Sequence, residues 1–443
     1  MNSVTFHPAK LQGSAALPPA KSEAHRALLL AALGQGECDL PGFTPPLCDD
    51  TIAMINGVTA LGAQVIAHED ILHVIPAPAR AAATDQIDCH VHACAAALRM
   101  LIPAFLVRGQ AVRFVMEPGL FARPLSALEP LIEQIGGLMV RIPAGDKRYA
   151  HVEISGKMNA GAYEIDGTKS SQFASGLLIA LSHATDSDGN FAPSTLTVTK
   201  PIVSRPYLDM TLRLMERFHV PYEEMSEGVF ALAPATETSP GSIAVSGDWS
   251  QAAVLLCANA IGSSVMISGL CSDPEQCLQG DIAVLDVLRR MGLRLYHLSG
   301  ELYAVSPSRA HLMATDIDCS DIPDLAPILA LACSQATGAS VLGGVSRLRI
   351  KECDRLDATT ELLAQLGVKS SVSDNDDELT VYGPAKLRGG FEADARNDHR
   401  IVMFLAAAAL ISDAPITVHG VSAINKSWPG FWDTYKSLGG IVS

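Results

Sequence analysis

The densest group of charged side chains in the sequence lies between Arg347 and Arg355, where four cations and two carboxylates occupy nine residues. Two further charged runs follow, Asn397-Asp398-His399-Arg400 and Asn425-Lys426-Ser427. Arg and Lys at this density bind phosphate and carboxylate groups, and carboxylates beside them can carry protons. The pattern therefore predicts a site that binds small anions and transfers protons.

A second candidate site lies near the start of the chain, where Lys21, Ser22 and Arg26 follow Pro18-Pro19 at the beginning of a predicted helix. Free backbone N–H groups and two nearby cations at a helix N-terminus favour phosphate or carboxylate binding. Ordinary capping by Ser22, with both cations in solvent, is an equally simple explanation. The neighbouring motifs are needed to distinguish anion binding from simple capping.

Hydroxyl and amide side chains also stand at the start of later helices, at Ser170-Ser171-Gln172 and at Ser204. Such groups can hold the ring of a phosphorylated, sugar-like molecule by hydrogen bonds. Taken alone, serine at a helix start is more often a cap or part of a turn. These motifs gain meaning only in combination.

The composition excludes several kinds of partner. A net charge of −15 over 443 residues repels nucleic acid, so anionic substrates require a local group of Lys and Arg. The ten cysteines form no Cys-x-x-Cys pair, which predicts neither a zinc site nor disulfides. No apolar run reaches the roughly 18 residues that span a bilayer, and no secretion signal is recognisable. We expect a cytoplasmic protein without membrane association.

The elements that must position these side chains recur six times along the chain. Amphipathic helices end at Leu61-Gly62, Ile135-Gly136, Phe218-His219, Met291-Gly292, Leu366-Gly367 and Leu438-Gly439. Earlier, more apolar helices are predicted at Ser22–Leu33, Ala96–Val107, Ser171–His183, Ser250–Ile261, Leu325–Thr337 and Asp398–Ile411. Strands are predicted between them, for example at Gln64–Ile66, Leu72–Ile75, Thr195–Thr199, Ser264–Ile267 and Glu378–Val381. The repeating unit is βαβαββ.

Six such units predict an α/β fold of two similar lobes, each with three buried helices surrounded by sheets. Chance recurrence of Leu-Gly helix ends is the simpler alternative, but the near-even spacing disfavours it. We expect residues 15–236 to form the first lobe, and residues 1–14 with 237–443 to form the second. The N-termini of the buried helices would then point into an electropositive cleft between the lobes.

These motifs together resemble the 5-enolpyruvylshikimate-3-phosphate synthase family (3-phosphoshikimate 1-carboxyvinyltransferases) along the whole chain, in collinear order. The resemblance is carried by Lys21-Ser22…Arg26, Asp49-Asp50-Thr51, Arg123-Pro124-Leu125, Ser170-Ser171-Gln172, Ser204…Pro206-Tyr207, Gln279-Gly280-Asp281, Ile322-Pro323-Asp324, Lys351-Glu352-x-Asp354-Arg355, Asn397-Asp398-His399-Arg400 and Lys426. The resemblance implies transfer of the enolpyruvyl group of phosphoenolpyruvate to the 5-hydroxyl of shikimate 3-phosphate, without cofactor or metal. We expect a monomer.

The resemblance also implies a role for each site residue. Shikimate 3-phosphate would be held by Lys21, Ser22, Arg26, Ser170, Ser171, Gln172, Ser204, Asp324, Arg347 and Lys351. Phosphoenolpyruvate would be held by Lys21, Ala95, Arg123, Gln172, Arg355, Arg400 and Lys426. Asp324 would accept the proton of the 5-hydroxyl, Glu352 would protonate the vinyl carbon, and Lys21 would assist both substrates. Burial, or the nearby Asp354 and Asp324, would have to tune Glu352 as an acid.

One loop departs from the family pattern. Before Arg99 the family usually has a Gly-containing turn, whereas this chain has Ala93-Cys94-Ala95-Ala96-Ala97. A methyl group at Ala95 would remove backbone freedom at positive φ and intrude on phosphoenolpyruvate. Three interpretations remain open: weaker phosphoenolpyruvate binding with activity kept, a related acceptor, or a catalytically inactive relative. We also hypothesise that Ala95 hinders the bulkier inhibitor glyphosate.

Two rival functions stand beside this one. UDP-N-acetylglucosamine enolpyruvyl transferase shares the six-unit fold, but it has a Lys-Asn pair where this chain has Lys21-Ser22, and it uses a catalytic cysteine on a flexible loop. Cys94 lies in a comparable region, although its alanine-rich setting predicts a buried, inert thiol. A non-catalytic binding protein is the second rival, and the altered Ala93–Ala97 loop is its only support.

Overall fold

The computed structural model describes residues 3–78, 86–235, 239–271, 273, 275–298, 302–305 and 312–443. The chain divides into two compact units, one of Pro19–Val245 and one of Met1–Pro18 with Ser246–Ser443. We call these the inserted unit and the terminal unit. The crossover predicted between residues 236 and 237 lies outside the described residues.

Thirteen α-helices lie in the described part of the chain. They are α1 (Lys21–Leu33), α2 (Asp49–Ala60), α3 (Ala95–Arg108), α4 (Pro118–Phe121), α5 (Glu129–Gln134), α6 (Ser171–Leu181), α7 (Arg205–Arg217), α8 (Trp249–Ala260), α9 (Val284–Arg290), α10 (Ala326–Cys333), α11 (Arg355–Gln365), α12 (His399–Ala409) and α13 (Phe431–Ser437). Short 3-10 helices lie at Gly280–Ala283, Pro323–Leu325, Ser346–Ile350 and Val421–Lys426. Of the helices described, none is long and apolar enough to cross a membrane.

The strands are short and alternate with the helices. They are β1 (Ser3–His7), β2 (Gln12–Ala16), β3 (Cys38–Pro41), β4 (Gln64–His68), β5 (Ile71–Ile75), β6 (Ile87–His92), β7 (Val112–Met116), β8 (Leu138–Ile142), β9 (Ala150–Ser155), β10 (Ala162–Ile165), β11 (Ser194–Val198), β12 (Tyr222–Ser226), β13 (Val229–Leu232), β14 (Ser264–Ser268), β15 (Leu295–Leu298), β16 (Leu302–Val305), β17 (Ile317–Asp318), β18 (Gly338–Gly343), β19 (Ser370–Val372), β20 (Glu378–Gly383), β21 (Glu392–Asp394), β22 (Ile416–His419) and β23 (Ile441–Val442).

Six sheets repeat one topology, three in each unit. The inserted unit contains β3-β5-β4, β6-β7-β9-β8 and β10-β11-β13-β12, and the terminal unit contains β2-β14-β16-β15, β17-β18-β20-β19 and β21-β22-β1-β23. Each four-stranded sheet has one parallel pair at an edge and antiparallel pairs elsewhere. The three-stranded sheet has instead an isolated parallel bridge between Asp39 and Ser242. The predicted repeat fold is confirmed.

The first of the two helices in each repeat is buried nearly all round, because its residues are mostly Ala and Leu. These helices are α1, α3 and α6 in the inserted unit, and α8, α10 and α12 in the terminal unit. They match the predicted buried segments except at the end of α10, which stops at Cys333 rather than Thr337. There the backbone N–H of Ala385 donates to the Ser334 carbonyl oxygen at 2.9 Å, so tertiary contacts replace the last helical turn.

The two N-terminal strands pair with strands close to the end of the chain or beyond its middle. Ser3 of β1 lies opposite His419 of β22, and β2 runs parallel to β14 with Gln12 opposite Ser264. Because Phe6 is fully buried, β1 also contributes to the core of the terminal unit. The chain therefore begins and ends in the same compact unit.

Candidate active site

The predicted site residues of the inserted unit lie at or near the N-termini of its helices. Helix α1 begins at Lys21, and its N-cap is Ala20, which makes no side-chain capping bond. Capping by Ser22, the simple alternative from the sequence, is therefore wrong because Ser22 already lies within the helix. The Nζ atom of Lys21 donates to Oδ2 of Asp50 at 2.9 Å, which fixes the ammonium group beside α2.

Arg26 lies one turn further along α1 and is only 2% exposed. Its Nε donates to Oγ1 of Thr211 at 2.7 Å, and its NH2 donates to Oγ of Ser175 and to the carbonyl oxygen of Tyr207. Its NH1 donates to the carbonyl oxygen of Ser22 at 2.6 Å. Arg26 thus ties α1 to α6 and α7, and these bonds use four of its five N–H groups.

The N-terminus of α6 holds the Ser-Ser-Gln motif. Ser170 is the N-cap, and its Oγ accepts from the backbone N–H of Gln172 at 3.3 Å. The side-chain oxygen of Gln172 accepts from NH1 of Arg99 at 3.0 Å, while Ser171 is the first helical residue. This contact joins the start of α6 to α3, and it adds Arg99 to the polar groups at this end.

Two further predicted residues of this unit lie on turns. Ser204 is the N-cap of α7 and adopts a left-handed backbone with φ of 53°. A non-glycine residue in that region is uncommon and often marks a functional turn. Arg123 follows α4, and its backbone N–H donates to the carbonyl oxygen of Leu120 at 3.0 Å.

The altered loop ends in the first turn of α3. Ala95 is the first helical residue, so its backbone is right-handed, and the nearest positive φ belongs to His92 at 49°. The expected loss of left-handed backbone freedom at Ala95 is therefore wrong, and only its methyl group can affect a ligand. Cys94 is the N-cap and is buried, and burial raises the pKa of its thiol well above the usual value. The prediction that Cys94 is buried is confirmed.

In the terminal unit, three cations surround one carboxylate. Oδ1 of Asp324 accepts from Nζ of Lys351 at 3.0 Å and from NH1 of Arg355 at 2.8 Å. NH2 of Arg400 lies 3.5 Å from Oδ2 of the same group. Asp324 lies in the 3-10 helix before α10, and Arg355 and Arg400 lie in the first turns of α11 and α12. Helix starts thus bring the predicted residues together.

Arg355 connects both predicted proton-transfer groups. Besides Asp324, it donates from NH2 to Oε2 of Glu352 at 2.6 Å. Its Nε and NH2 also bond both carboxylate oxygens of Asp398, at 2.6 and 3.2 Å. Burial lowers the pKa of Arg355, but Asp398, Glu352 and Asp324 outweigh it and hold this pKa well above its ordinary value. The guanidinium therefore remains charged at any pH of interest.

Asp354 and Glu352 contact different cations. It is the N-cap of α11, and its Oδ2 accepts from NH1 of Arg349 at 2.7 Å. The carboxylate of Glu352 instead faces a cation, Arg355. The structure thus pairs Asp354 with Arg349 and Glu352 with Arg355.

The remaining predicted residues of this unit lie around the same helix starts. Arg400 donates from NH1 to the carbonyl oxygen and from NH2 to the hydroxyl of Ser250, at 3.0 and 2.7 Å. Lys426 is 9% exposed, and its Nζ donates to the carbonyl oxygen of Asn397 at 2.7 Å. Arg347 lies in the 3-10 helix that precedes Lys351.

Burial also lowers the pKa of two titratable side chains in or next to the candidate site, Lys351 and His25. The pKa of Lys351 is lowered chiefly by burial, an effect that Asp324 opposes. In the inserted unit, burial lowers the pKa of His25 to about 4, against the raising effect of Asp50. His25 is therefore neutral at pH 7, whereas Lys21 beside it pairs with Asp50.

Sequence reasoning assigned no role to Asp50, Arg99, Asp398 or Ser250, which hold Lys21, Gln172, Arg355 and Arg400 in place. Asp50 and Asp398 were inside recognised motifs, and each stands at a helix start where a carboxylate is favourable. Their position at helix starts was the sequence signal that could have identified Asp50 and Asp398. No sequence signal pairs Arg99 with Gln172, because 73 residues separate them.

Comparison with solved structures supports the fold. EPSP synthase from Acinetobacter baumannii superposes with a TM-score of 0.78 at 22% identity, covering 100% of this chain and 99% of that one. The enolpyruvyl transferase NikO from Streptomyces tendae superposes with a TM-score of 0.76 at 17% identity, covering 100% and 98%. At these identities the likeness concerns the fold alone.

Sequence comparison is more specific. The family model for EPSP synthase (3-phosphoshikimate 1-carboxyvinyltransferase) matches residues 6–435. A 3-phosphoshikimate 1-carboxyvinyltransferase of Clostridium beijerinckii is 34% identical, over 100% of this chain and 98% of the relative. One of Clostridioides difficile is 32% identical over the same shares. The resemblance found in the motifs is thus confirmed along the chain, which belongs to the EPSP synthase (3-phosphoshikimate 1-carboxyvinyltransferase) family.

Proposed function

We propose that this protein transfers the enolpyruvyl group of phosphoenolpyruvate to the 5-hydroxyl of shikimate 3-phosphate in the shikimate pathway to chorismate. Family membership and the names of its relatives support this transferase activity. One geometric observation carries the proposal: Arg355 bonds Asp324 at 2.8 Å and Glu352 at 2.6 Å. The guanidinium of Arg355 therefore contacts both carboxylates to which the two proton transfers are assigned.

Shikimate 3-phosphate is assigned to residues that combine cations with hydroxyl and amide groups. They are Lys21, Ser22, Arg26, Ser170, Ser171, Gln172, Ser204, Asp324, Arg347 and Lys351. Phosphoenolpyruvate is assigned to a mainly cationic set, Lys21, Ala95, Arg123, Gln172, Arg355, Arg400 and Lys426. Several of these cations are paired with carboxylates, so each substrate anion replaces one carboxylate as the partner of a Lys or Arg.

Asp324 serves as the base. Lys351, Arg355 and Arg400 lie around it, and they favour an ionised carboxylate, which is the form that accepts a proton. When phosphoenolpyruvate binds Arg355 and Arg400, it competes with Asp324 for them. Asp324 then becomes a better acceptor for the proton of the 5-hydroxyl.

Glu352 serves as the acid, and its contact with Arg355 is an obstacle to that role. A carboxyl group beside a guanidinium at 2.6 Å gives up its proton readily and regains it with difficulty. The carboxylate of phosphoenolpyruvate, bound to Arg355, would displace Glu352 and let it take up a proton. Substrate binding and the protonation of Glu352 are therefore coupled.

The reaction balances without a cofactor. Glu352 protonates the CH2 carbon of phosphoenolpyruvate, the 5-oxygen bonds to the adjacent carbon, and Asp324 takes the hydroxyl proton. The tetrahedral intermediate then loses phosphate, and Glu352, now a carboxylate, takes back a proton from the new methyl group to restore the vinyl ether. Fixed cations stabilise the charge of the leaving phosphate throughout.

The decisive experiment mixes the purified protein with shikimate 3-phosphate and phosphoenolpyruvate and measures phosphate release and the enol ether by NMR. We expect turnover, and a fall in kcat of at least about 100-fold in Asp324→Asn and in Glu352→Gln. Asp376→Asn is the matched control, because Asp376 pairs with Arg349 on the surface. No turnover with this acceptor would overturn the proposal, leaving a related acceptor or an inactive relative.

The proposal extends to the state of the enzyme. We propose a monomer that works in the cytoplasm, where phosphoenolpyruvate is available. Size-exclusion chromatography with light scattering checks the first point: a mass near 46.7 kDa is expected, and twice that value would refute the monomer.

A further inference from the structure

A groove of about 1000 Å³ lies at the end of the inserted unit where its buried helices finish. Its wall includes Leu33 at the end of α1, Val107 and Arg108 at the end of α3, and His183 just after α6. Helix α1 has 13 residues, so about 20 Å separate this end from Lys21. The groove is thus distinct from the candidate active site.

Two cations line the groove without a carboxylate partner among the described residues. Arg108 donates from NH1 to the carbonyl oxygen of Pro78 at 2.5 Å, and Nζ of Lys157 donates to that of Val107 at 2.6 Å. These bonds, with a longer one from Arg108 to Ala77, cap carbonyl groups and use only part of the donors. The other N–H groups of Arg108 and Lys157 remain available to an anionic group.

Acceptors lie along the same groove. Asp186 and Asp188 form a turn in which Oδ1 of Asp186 accepts from the backbone N–H groups of Asp188 and Asn190, and the side chain of Asp188 is exposed. The ring of His183 is 6% exposed, and its Nδ1 lies 2.9 Å from the carbonyl oxygen of Ile179. Its buried Nε2 has no partner within the described part of the chain. Because Nε2 is itself inaccessible, the carboxylates of Asp186 and Asp188 are the acceptors that a ligand in the groove can reach.

Apolar side chains complete the lining. Leu33, Pro76, Pro78 and Val107 contribute to the wall, and Phe191 remains 37% exposed at the groove. A partly exposed aromatic ring beside charges of both signs is typical of sites for small molecules that have an apolar body and polar ends.

We propose that this groove binds a zwitterionic α-amino acid with a large apolar side chain. The carboxylate of the ligand bonds Arg108 and Lys157, its ammonium group faces the Asp186–Asp188 turn, and its side chain packs on Phe191 and the prolines. Capping of helix ends accounts for the two cations alone. It explains neither the volume of the groove nor the carboxylates and the exposed Phe191 ring that line it.

Calorimetric titration of the full chain with three probes tests which charges matter. L-Phenylalanine should bind, whereas 3-phenylpropanoate, which lacks the ammonium group, and phenethylamine, which lacks the carboxylate, should each bind at least about fivefold more weakly. Equal binding of either analogue overturns the zwitterionic assignment. Absence of saturable L-phenylalanine binding up to about 20 mM overturns the site itself.

Variants place the binding in this groove. Lys157→Ala and Asp188→Asn should each weaken L-phenylalanine binding by about fivefold. Lys147→Ala, which removes an exposed lysine of the same unit outside the groove, should leave binding unchanged. An equal effect of Lys147→Ala and Lys157→Ala refutes the location. Because binding is measured directly, the result is independent of the proposed transfer activity.

Discussion

Asp398 performs two structural tasks with one carboxylate. It caps α12 by accepting from the backbone N–H of Arg400 at 2.9 Å, and it bonds the guanidinium of Arg355 through both oxygens. Both members of this ion pair are buried, at 0% and 1% side-chain exposure. Loss of one partner therefore leaves a buried charge with less compensation.

Asp398→Ala should lower the free energy of unfolding by up to about 3–5 kcal/mol, because the buried Arg355 guanidinium then keeps only two partly exposed carboxylate partners, Asp324 and Glu352. Asp354→Ala is the matched control: it also removes an N-cap carboxylate, at α11, but one whose partner Arg349 is partly exposed. That change should cost only about 1 kcal/mol. Urea unfolding compares the two, and similar losses would contradict the assigned role of Asp398.

Ala95→Gly should increase inhibition by glyphosate, if the proposed reaction is correct. The methyl group at the start of α3 is the feature that we expect to exclude this bulkier molecule from the phosphoenolpyruvate position. The inhibitor concentration that halves activity should fall by at least about tenfold.

Ala96→Gly controls for the cost of glycine in the same helical turn, which is about 1 kcal/mol for each change. It should leave inhibition as in the parent protein. Micromolar inhibition of the unaltered protein would rule out the hypothesis before any variant is made.

For individual residues, the sequence predicted candidate site side chains but not the contacts that hold them. Glu352 and Arg355 are three residues apart in the turn that leads into α11, so the local sequence brings them together. Asp398 reaches Arg355 across 43 residues, and that contact depends on how α11 and α12 pack. The N-cap of α1 is Ala20 and not Ser22. The N-cap is set by the residue at which the helix begins, and the presence of a serine does not determine that residue.

At the scale of elements, α3 and α6 approach closely enough to exclude a side chain. A Cβ atom at Gly176 would lie 2.7 Å from Cα of Met100 and 3.1 Å from the carbonyl oxygen of Arg99. This approach also sets the 3.0 Å contact between Arg99 and Gln172 at the start of α6. The spacing of the two helices thus fixes part of the candidate site.

Gly176→Ala should destabilise the protein by about 1–3 kcal/mol, because the new methyl group meets backbone atoms that cannot move alone. It should also raise KM for phosphoenolpyruvate, since separation of α3 and α6 moves Gln172. Gly119→Ala in α4 is the control, because nothing lies within 4 Å of its Cβ position. Thermal unfolding and steady-state kinetics check both variants, and a neutral Gly176→Ala would refute the packing argument.

The helices were easier to predict than the strands. Helices such as α12 are read from a local run, here 11 residues dominated by apolar types. Strand β1 has five residues and pairs with β22 more than 400 residues later, with Ser3 opposite His419. The local sequence of neither strand specifies which residues of the other strand it faces. The register is therefore set only when the sheet forms.

Two buried histidines make the unfolding free energy of the protein depend on pH. Burial lowers the pKa of His25 to about 4, and burial together with Arg108 does the same for His183, although the Ile179 carbonyl oxygen opposes it. Both rings remain neutral in the folded protein at pH 5, whereas the unfolded chain binds a proton near pH 6.5. The stabilisation is complete above pH 6.5 and is lost as pH falls toward 4, because protonation favours the unfolded state.

Each histidine should therefore contribute about 2 kcal/mol to the loss of unfolding free energy between pH 7 and pH 5, from 1.36 kcal/mol per pH unit below 6.5. Urea unfolding of His25→Gln and of His183→Gln should show that the unfolding free energy falls by about 2 kcal/mol less between pH 7 and pH 5 than it does in the parent protein. This difference is independent of the absolute stability of each variant. His68→Gln, an exposed histidine of β4, should follow the parent protein. A parallel pH dependence in all four proteins would mean that these rings become protonated without unfolding, and the burial of His25 and His183 would then not govern acid stability.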